Sequence, residues 1–262
     1  MTEAADLTMF EPLSDLTWAN LALGGVSLPA LPPESLQKSW CGSAGARLAV
    51  QSAEFYRLVK DQYARYGTKP FRNSTMLDFG CGWGRLSRLF AKDLRSDQIF
   101  GCDPDAAILE WCKEIPGTFR QSEVKPRALP FDQQFDLIFA FSVFTHLGPR
   151  THQSALHVVH SSLAGGGLLI LTVRPRKFLE GRGAEFAHVD AEALEQALRN
   201  YDSGEFVYLP YNLPPVDDEV PYGEAVIPVA YVEKHWTDRF EIIENSIYES
   251  DPYQLPITLR RR

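Results

Sequence analysis

One short stretch decides the fold of this chain: Leu77-Asp78-Phe79-Gly80-Cys81-Gly82-Trp83-Gly84. The apolar run at 75–79 predicts a strand, and residues 84–94 have the pattern of a helix. Glycines at the turn between them allow a sharp bend and the close approach of a ligand to the backbone. The first N–H groups of a helix lack partners within it and favour polar or anionic groups. The stretch therefore predicts a strand–turn–helix unit that holds a ligand.

The same alternation continues along the chain. Short apolar runs predict strands at 98–103, 118–120, 135–141 and 168–173, and helices are predicted at 105–113 and 150–163. The turn Gly165-Gly166-Gly167 is expected to precede the last of these strands. Two of the runs are almost entirely apolar, as in strands buried on both faces. Alternating strands and helices predict right-handed βαβ units, a parallel sheet and the α/β class.

Regions outside this core have different patterns. Residues 1–70 are interpreted as an N-terminal helical extension or lid, with a proline-rich break at 28–33 and an amphipathic helix at 46–66. Residues 71–262 form the main domain. Within it, 174–228 is expected to be an irregular insertion with a helix at 190–200 and a strand at 206–209. A helix at 229–239 and strands at 240–248 and 253–259 are expected to close the fold.

An acidic residue suggests which ligand the turn holds. Asp103 ends the second predicted strand, 23 residues after Gly80, where a carboxylate in a doubly wound sheet reaches a pair of ribose hydroxyls. Turn and carboxylate together indicate an adenosine-containing ligand. Arg85 stands where the dinucleotide fingerprint G-x-G-x-x-G requires its third glycine, which disfavours NAD and FAD.

Four motifs resemble the Rossmann-like (class I) methyltransferases that use S-adenosylmethionine. In chain order they are the glycine turn after Asp78, Gly101-Cys102-Asp103, Ala128-Leu129-Pro130-Phe131 before Phe135-Asp136-Leu137-Ile138, and Leu163-Ala164-Gly165-Gly166-Gly167-Leu168-Leu169. The resemblance covers about residues 70–175. It implies a seven-stranded doubly wound sheet, S-adenosylmethionine as cofactor and methyl transfer to an oxygen or nitrogen. The N-terminal extension and the insertion would then cover the acceptor.

The resemblance also implies cofactor contacts. The three glycines of the turn would line the methionine part, Asp78 would orient its ammonium, and Asp103 would hold the ribose. Asp78 could instead be only a helix-cap acceptor. Residues 124–127 lack the acidic side chain that often contacts adenine in this family, so backbone near Arg127 and Ala128 is expected there. The remaining expected cofactor contacts are Cys81, Pro104, Phe141 and Ser142.

Acceptor and catalytic residues are expected after the fourth and fifth strands, whose ends open onto the ligand crevice. His146 is the first candidate for a base that deprotonates an acceptor hydroxyl, and His188 is the second; either could be merely structural. Arg174 and Arg176 could hold an acidic acceptor or lie at a solvated edge. An aromatic wall of the acceptor pocket, or ordinary lid packing, is expected from Tyr208, Tyr211 and Tyr222.

Composition limits the partners. The net charge of −8 over 262 residues argues against nucleic acid, since phosphate binding requires Lys and Arg, and favours a small molecule or sugar. The four cysteines form no C-x-x-C pair or metal-ligand spacing, so no metal is expected. Without a signal-peptide pattern or a membrane-length apolar run, a cytoplasmic protein that does not bind membranes is expected. A homodimer is compatible with the sequence.

Two alternatives remain open from the sequence. An NAD-dependent oxidoreductase or epimerase is disfavoured by Arg85 and by the absence of a nearby Tyr-x-x-x-Lys pair. A non-catalytic S-adenosylmethionine-binding protein would have the same turn and the same acidic residue.

Overall fold

The computed structural model describes residue 10 and residues 12–25, 31–187 and 189–262, with the side chains of 183, 184, 186 and 187 left aside. The chain folds into two compact units. The first comprises residues 1–122 and 130–139, and the second comprises residues 123–129 and 140–262. None of the helices in the described residues is long and apolar enough to span a membrane.

Helices and strands alternate through most of the described chain. The helices are α1 (Asp15–Leu23), α2 (Glu34–Cys41), α3 (Gly45–Tyr66), α4 (Ser87–Phe90), α5 (Ala106–Leu109), α6 (Pro149–Ser162), α7 (Arg176–Ala187), α8 (Ala191–Asp202) and α9 (Val229–His235). The strands are β1 (Met76–Phe79), β2 (Ile99–Asp103), β3 (Thr118–Gln121), β4 (Phe135–Ala140), β5 (Leu163–Val173), β6 (Val207–Pro210), β7 (Gly223–Val226), β8 (Phe240–Asn245) and β9 (Leu255–Arg261).

Seven of the strands in the described residues form one sheet in the order β3-β2-β1-β4-β5-β9-β8. Strand β1 pairs in parallel with β2 and β4, and β2 pairs in parallel with β3. At the other edge, β9 pairs antiparallel with both β5 and β8. This arrangement confirms the predicted fold class, a seven-stranded α/β sheet of the Rossmann-like type.

In the first unit, the N-terminal helices pack on the segment that follows the glycine turn. The indole N–H of Trp18 donates to the Leu89 carbonyl at 2.8 Å. The guanidinium of Arg85 donates to Ser52 Oγ of α3 at 3.1 Å, so the residue that breaks the dinucleotide fingerprint anchors a helix here. Phe55, Tyr56 and Val59 of α3 are fully buried. Helices α1 and α3 therefore stabilise the segment that follows the glycine turn.

In the second unit, a small two-stranded sheet lies within the region predicted to be an insertion. Strands β6 and β7 pair antiparallel, with Val207 opposite Val226. Their apolar side chains pack with Phe178 and Leu179 of α7 and with Ala197 of α8. This region thus has a core of its own, which holds β7 in a fixed position.

Several element predictions need correction. The helix expected at 84–94 is reduced to α4. Gly84 has φ +76°, which a right-handed helix does not accommodate, and residues 91–94 form a turn and a bend. The helix expected at 105–113 is split into α5 and a 3₁₀ turn at Glu110–Cys112. Residues 165–167 are part of β5 and are not a turn before it. Helix α7 lies in a stretch expected to be irregular.

Candidate active site

The glycine turn joins β1 to α4, and its backbone requires glycine. Gly80, Gly82 and Gly84 all have positive φ, at 75°, 52° and 76°. At Gly84 a Cβ would also lie 2.2 Å from Ile115 Cδ1, so this position excludes a side chain by packing as well. Positive φ therefore accounts for all three glycines, and limited space beside Ile115 is a second constraint at Gly84 alone.

Hydrogen bonds connect the glycine turn to the end of β2. The amides of Gly80 and Cys81 donate to the Cys102 carbonyl at 2.8 and 3.0 Å. The Gly82 amide donates to Asp103 Oδ2 at 2.9 Å, and the Asp105 amide donates to Asp103 Oδ1 at 3.0 Å. Each carboxylate oxygen can accept two hydrogen bonds and accepts one from these amides, so Asp103 can still accept hydrogen bonds from two hydroxyl groups. The turn and Asp103 thus form one preorganised acceptor site.

Burial perturbs both carboxylates of this site. Desolvation raises the pKa of Asp103 above its usual range, and the Asp105 and Gly82 amides oppose that rise. Desolvation raises the pKa of Asp78 to about 7, against hydrogen bonds from Ser87 and the charge of Arg85. Ser87 Oγ donates to Asp78 Oδ2 at 2.6 Å, so a side chain from the start of α4 orients the Asp78 carboxylate. A cationic ligand group here would relieve the cost of ionising Asp78.

Two further residues of the first unit were predicted to contact the cofactor. The thiol of Cys81 packs with Cys112 and Ile115, so any contact from Cys81 to a ligand would come from its backbone. Pro104 is half-buried, and its carbonyl accepts from Gln121 Nε2 at 2.9 Å. Cys81 and Pro104 therefore make contacts within the protein that stabilise the turn and the end of β2.

In the second unit, two of the predicted cofactor residues, Phe141 and Ser142, lie just after β4, and a third, Ala128, precedes that strand. Ser142 has φ +59°, which is unusual for a residue with a side chain and often marks a functional site. Its amide donates to Thr172 Oγ1 at 2.8 Å, and Gln254 Nε2 donates to its hydroxyl at 3.0 Å. The Phe141 ring contacts Tyr248, with centroids 5.5 Å apart, and Ala128 is exposed.

A buried ionic network lies at the end of β5. Strand β7 pairs with residues 145–147: the Ala225 amide donates to the Thr145 carbonyl and the Gly223 amide to the His146 carbonyl, at 2.8 and 2.9 Å. Glu224, between these two residues, is 1% exposed. Its Oε2 lies 2.6 Å from Arg174 Nε, and Tyr211 donates to its Oε1 at 2.5 Å. The Arg174 guanidinium also stacks on Phe178, 3.9 Å from the ring centroid.

The partners of His146 determine which ring nitrogen has the proton. Its Nδ1 lies 3.0 Å from the Gly223 carbonyl, which only accepts, so Nδ1 must be the donor. Its Nε2 lies 3.2 Å from Arg174 Nη2, which only donates, so Nε2 must accept. Tyr211 Oη, 3.1 Å from Nδ1, can then accept from His146 and donate to Glu224. All of these hydrogen bonds can form together when His146 is neutral.

Burial and the Arg174 charge lower the pKa of His146 to about 3, against the hydrogen bond to Gly223. Burial likewise raises the pKa of Glu224 and lowers that of Arg174, while their mutual attraction opposes both shifts. A protonated imidazole here would stand beside a guanidinium, which explains why His146 stays neutral. The lone pair that a base would use is already occupied by Arg174.

The other acceptor-side residues lie apart from this network or at its edge. Tyr208 donates to the Val220 carbonyl at 2.7 Å, and Tyr222 is half-buried beside β7. Arg176 forms ion pairs with Asp202 and Glu180 at the surface, as its solvated-edge alternative anticipated. His188 lies outside the described residues.

Glu224 is the residue of this network that sequence reasoning missed. A signal exists, because a single acidic residue interrupts the otherwise apolar run 223–229. A carboxylate in a buried strand requires a cation or several donors. The sequence does not reveal that Arg174, 50 residues earlier, is that cation.

Comparisons with known proteins agree with this geometry. Residues 77–169, which include the turn and Asp103, match a family model described as "Methyltransferase domain". Cyclopropane-fatty-acyl-phospholipid synthase of Escherichia coli (strain K12) is 25% identical over 99 residues, which are 37% of this chain and 25% of that protein. The chain thus aligns with about a quarter of the length of the curated relatives it matches.

Solved structures share the fold. One is a magnesium protoporphyrin IX methyltransferase from Synechocystis PCC 6803 with bound S-adenosyl-L-homocysteine (SAH). Its TM-score is 0.51 at 14% identity, and the match covers 82% of this chain and 86% of that chain. An S-adenosylmethionine-dependent methyltransferase from Clostridium acetobutylicum ATCC 824 has a TM-score of 0.52 at 10% identity, with coverages of 79% and 91%. At these identities the likeness concerns the fold alone.

Proposed function

We propose that this chain is a class I S-adenosylmethionine-dependent methyltransferase and that it methylates an oxygen or nitrogen of a small-molecule or sugar acceptor. The observation that carries the proposal is the Asp103 carboxylate, which holds the Gly82 amide at 2.9 Å and keeps acceptor capacity for a ribose. The net charge of −8 favours such an acceptor over nucleic acid.

The residues of the glycine turn fit S-adenosylmethionine. Asp103 would accept the ribose hydroxyls, and the buried Asp78 would accept the ammonium of the methionine part. The turn would let the backbone approach the cofactor without Cβ atoms between them. When bound, the cofactor supplies a methyl group already activated by a positively charged sulfonium. The protein's main task is then to align the acceptor with that methyl group and to exclude water.

On the acceptor side, we infer that Arg174 contacts an acceptor oxygen. Its Nε lies 2.6 Å from Glu224 Oε2 and its Nη2 lies 3.2 Å from His146 Nε2, and its Nη1 amino group takes part in neither contact. Glu224 already neutralises the guanidinium charge. A neutral hydroxyl or carbonyl oxygen therefore suits this donor better than a carboxylate. This favours a neutral acceptor such as a sugar.

The catalytic roles of His146 and His188 stay predictions. For His146 the network supports a positioning role: it orients Arg174 through Nε2, and a group with a pKa lowered to about 3 is a weak base at neutral pH. A neutral amine acceptor would need no base at all. A hydroxyl acceptor would require one from another residue.

Methyl transfer can be tested with S-adenosylmethionine tritiated in its methyl group. The purified protein is incubated with fractions of a bacterial metabolite and glycan extract, and label is measured in products below a few kilodaltons. We expect transfer to at least one fraction, and none with Asp103→Ala. Label transferred only to added tRNA or DNA would contradict the proposed acceptor class.

Equilibrium binding of the two cofactors distinguishes the proposed methyltransferase from the alternative, an NAD-dependent oxidoreductase. S-adenosylmethionine should bind, and NAD should not bind at comparable concentration, because Arg85 occupies the third glycine position of the dinucleotide fingerprint and anchors α3. Tighter binding of NAD than of S-adenosylmethionine would favour the oxidoreductase.

A further inference from the structure

We propose that Trp40 is a cofactor-contacting residue that covers S-adenosylmethionine in the glycine turn. Trp40 lies in the last turn of α2, which ends at Gly42 with φ +71° and a hydrogen bond from the Gly42 amide to the Lys38 carbonyl. A Cβ on Gly82 would lie 3.4 Å from Cε3 and 3.5 Å from Cζ3 of Trp40. The indole ring therefore stands directly over the middle glycine of the turn.

The exposure of Trp40 is unusual within this chain. Its side chain is 44% exposed, whereas Trp18, Trp83 and Trp236 are at most 1% exposed. Among the described residues it forms no aromatic pair and no hydrogen bond. Leaving so much of a large aromatic side chain in water forfeits hydrophobic free energy that a ligand seated against the ring would recover.

The position of the ring suits this particular ligand. The amide of Gly82, beneath Trp40, donates to the Asp103 carboxylate that would hold the ribose. A tryptophan face attracts cations, and the sulfonium of S-adenosylmethionine is a cation. A cover at this point would also keep water from the reacting methyl group. The inference rests on the cofactor and is independent of the proposed acceptor.

Titration calorimetry with S-adenosylmethionine tests the contact. We expect Trp40→Ala to weaken binding about tenfold and Trp40→Phe to stay within about threefold, because phenylalanine keeps an aromatic face. Leu16→Ala is the matched control, since Leu16 is a similarly exposed apolar residue of α1 (46%). It should bind like the wild type. Binding by a folded Trp40→Ala variant within twofold of the wild type would overturn the proposal.

Tryptophan fluorescence gives a second test that does not depend on the alanine variant. Saturating SAH should protect part of the wild-type emission from acrylamide quenching, because the ligand would cover the exposed indole. Trp40→Phe should lose that protection while still binding SAH. Equal protection in the two proteins would refute the contact. If the wild type itself bound neither ligand, the cofactor assignment would fail, and not the role of Trp40 alone.

Discussion

At the residue scale, the proposed chemistry of this protein depends on buried ionisable side chains. Asp78 and Asp103 could be predicted because each lies at a fixed spacing from the glycines of one local motif. Glu224 could not, because its cation, Arg174, is distant in sequence and is brought beside β7 by a β-bridge between Arg174 and Val226. The tautomer of His146 likewise depends on two partners from different parts of the chain.

Cofactor affinity should depend on pH through Asp78. Its pKa is raised to about 7 in the free protein, so below pH 7 the carboxyl is increasingly protonated and cannot accept the cofactor's ammonium as an ion pair. Affinity for S-adenosylmethionine should therefore rise from pH 5.5 to pH 7.5. Calorimetry across this range measures the effect. The variant Asp78→Asn should bind more weakly with a flat profile, and a flat wild-type profile would rule out this role.

His146 should remain neutral far below its ordinary pKa. Long-range ¹H–¹⁵N NMR spectra should show the Nδ1–H tautomer from pH 8 down to pH 5, because the pKa is lowered to about 3. The unfolded chain takes up this proton near pH 6.5, so the contribution of His146 to stability is present above pH 6.5 and is lost as pH falls toward 3. His146→Gln should reduce that loss. An imidazole titrating near pH 6.5 in the folded protein would contradict the network.

At the scale of elements, strands were easier to predict than helices. Long apolar runs identified β4 and most of β5, since strands buried on both faces have few polar residues. The short α4 and the split at α5 depend on the positive φ of Gly84 and on local packing, which periodicity does not show. Strand β7 was missed because Gly223 and Glu224 disfavour a strand until their partners are known.

Packing between the turn and its neighbours predicts the effect of a side chain at Gly84. Gly84→Ala should destabilise the fold by roughly 1–3 kcal/mol, because φ is +76° and the new Cβ would lie 2.2 Å from Ile115. Urea denaturation measures the change. Gly165→Ala is the control, since a Cβ there has nothing within 4 Å. Equal stability of the two variants would contradict the described packing.

The attachment of β7 predicts a contrast between two ion pairs. Glu224→Ala should cost about 3–5 kcal/mol, because it leaves the Arg174 charge buried without its partner. Asp202→Ala removes a partner of the exposed Arg176 and should cost far less, because solvent screens an exposed ion pair. Chemical denaturation of both variants measures the two losses in free energy of unfolding. Similar losses would mean that the Arg174–Glu224 pair does not hold β7 in place.

For the whole molecule, the order of motifs along the sequence sufficed to predict the fold class. The seven-stranded sheet confirms that prediction, and residues 77–169 match a family model described as a methyltransferase domain. The acceptor could not be derived in the same way. The residues proposed to contact it lie in the more irregular half of the chain, where contacts such as Tyr211 with Glu224 join elements that share no sequence motif.

The central claim is that the glycine turn and Asp103 together bind the adenosyl part of S-adenosylmethionine. Isothermal titration calorimetry of the full chain with S-adenosylmethionine tests it most directly. We predict one site per chain, with affinity lowered at least tenfold in Asp103→Ala because the ribose loses its acceptor. The absence of measurable binding by the folded wild type, or undiminished binding by the variant, would contradict it.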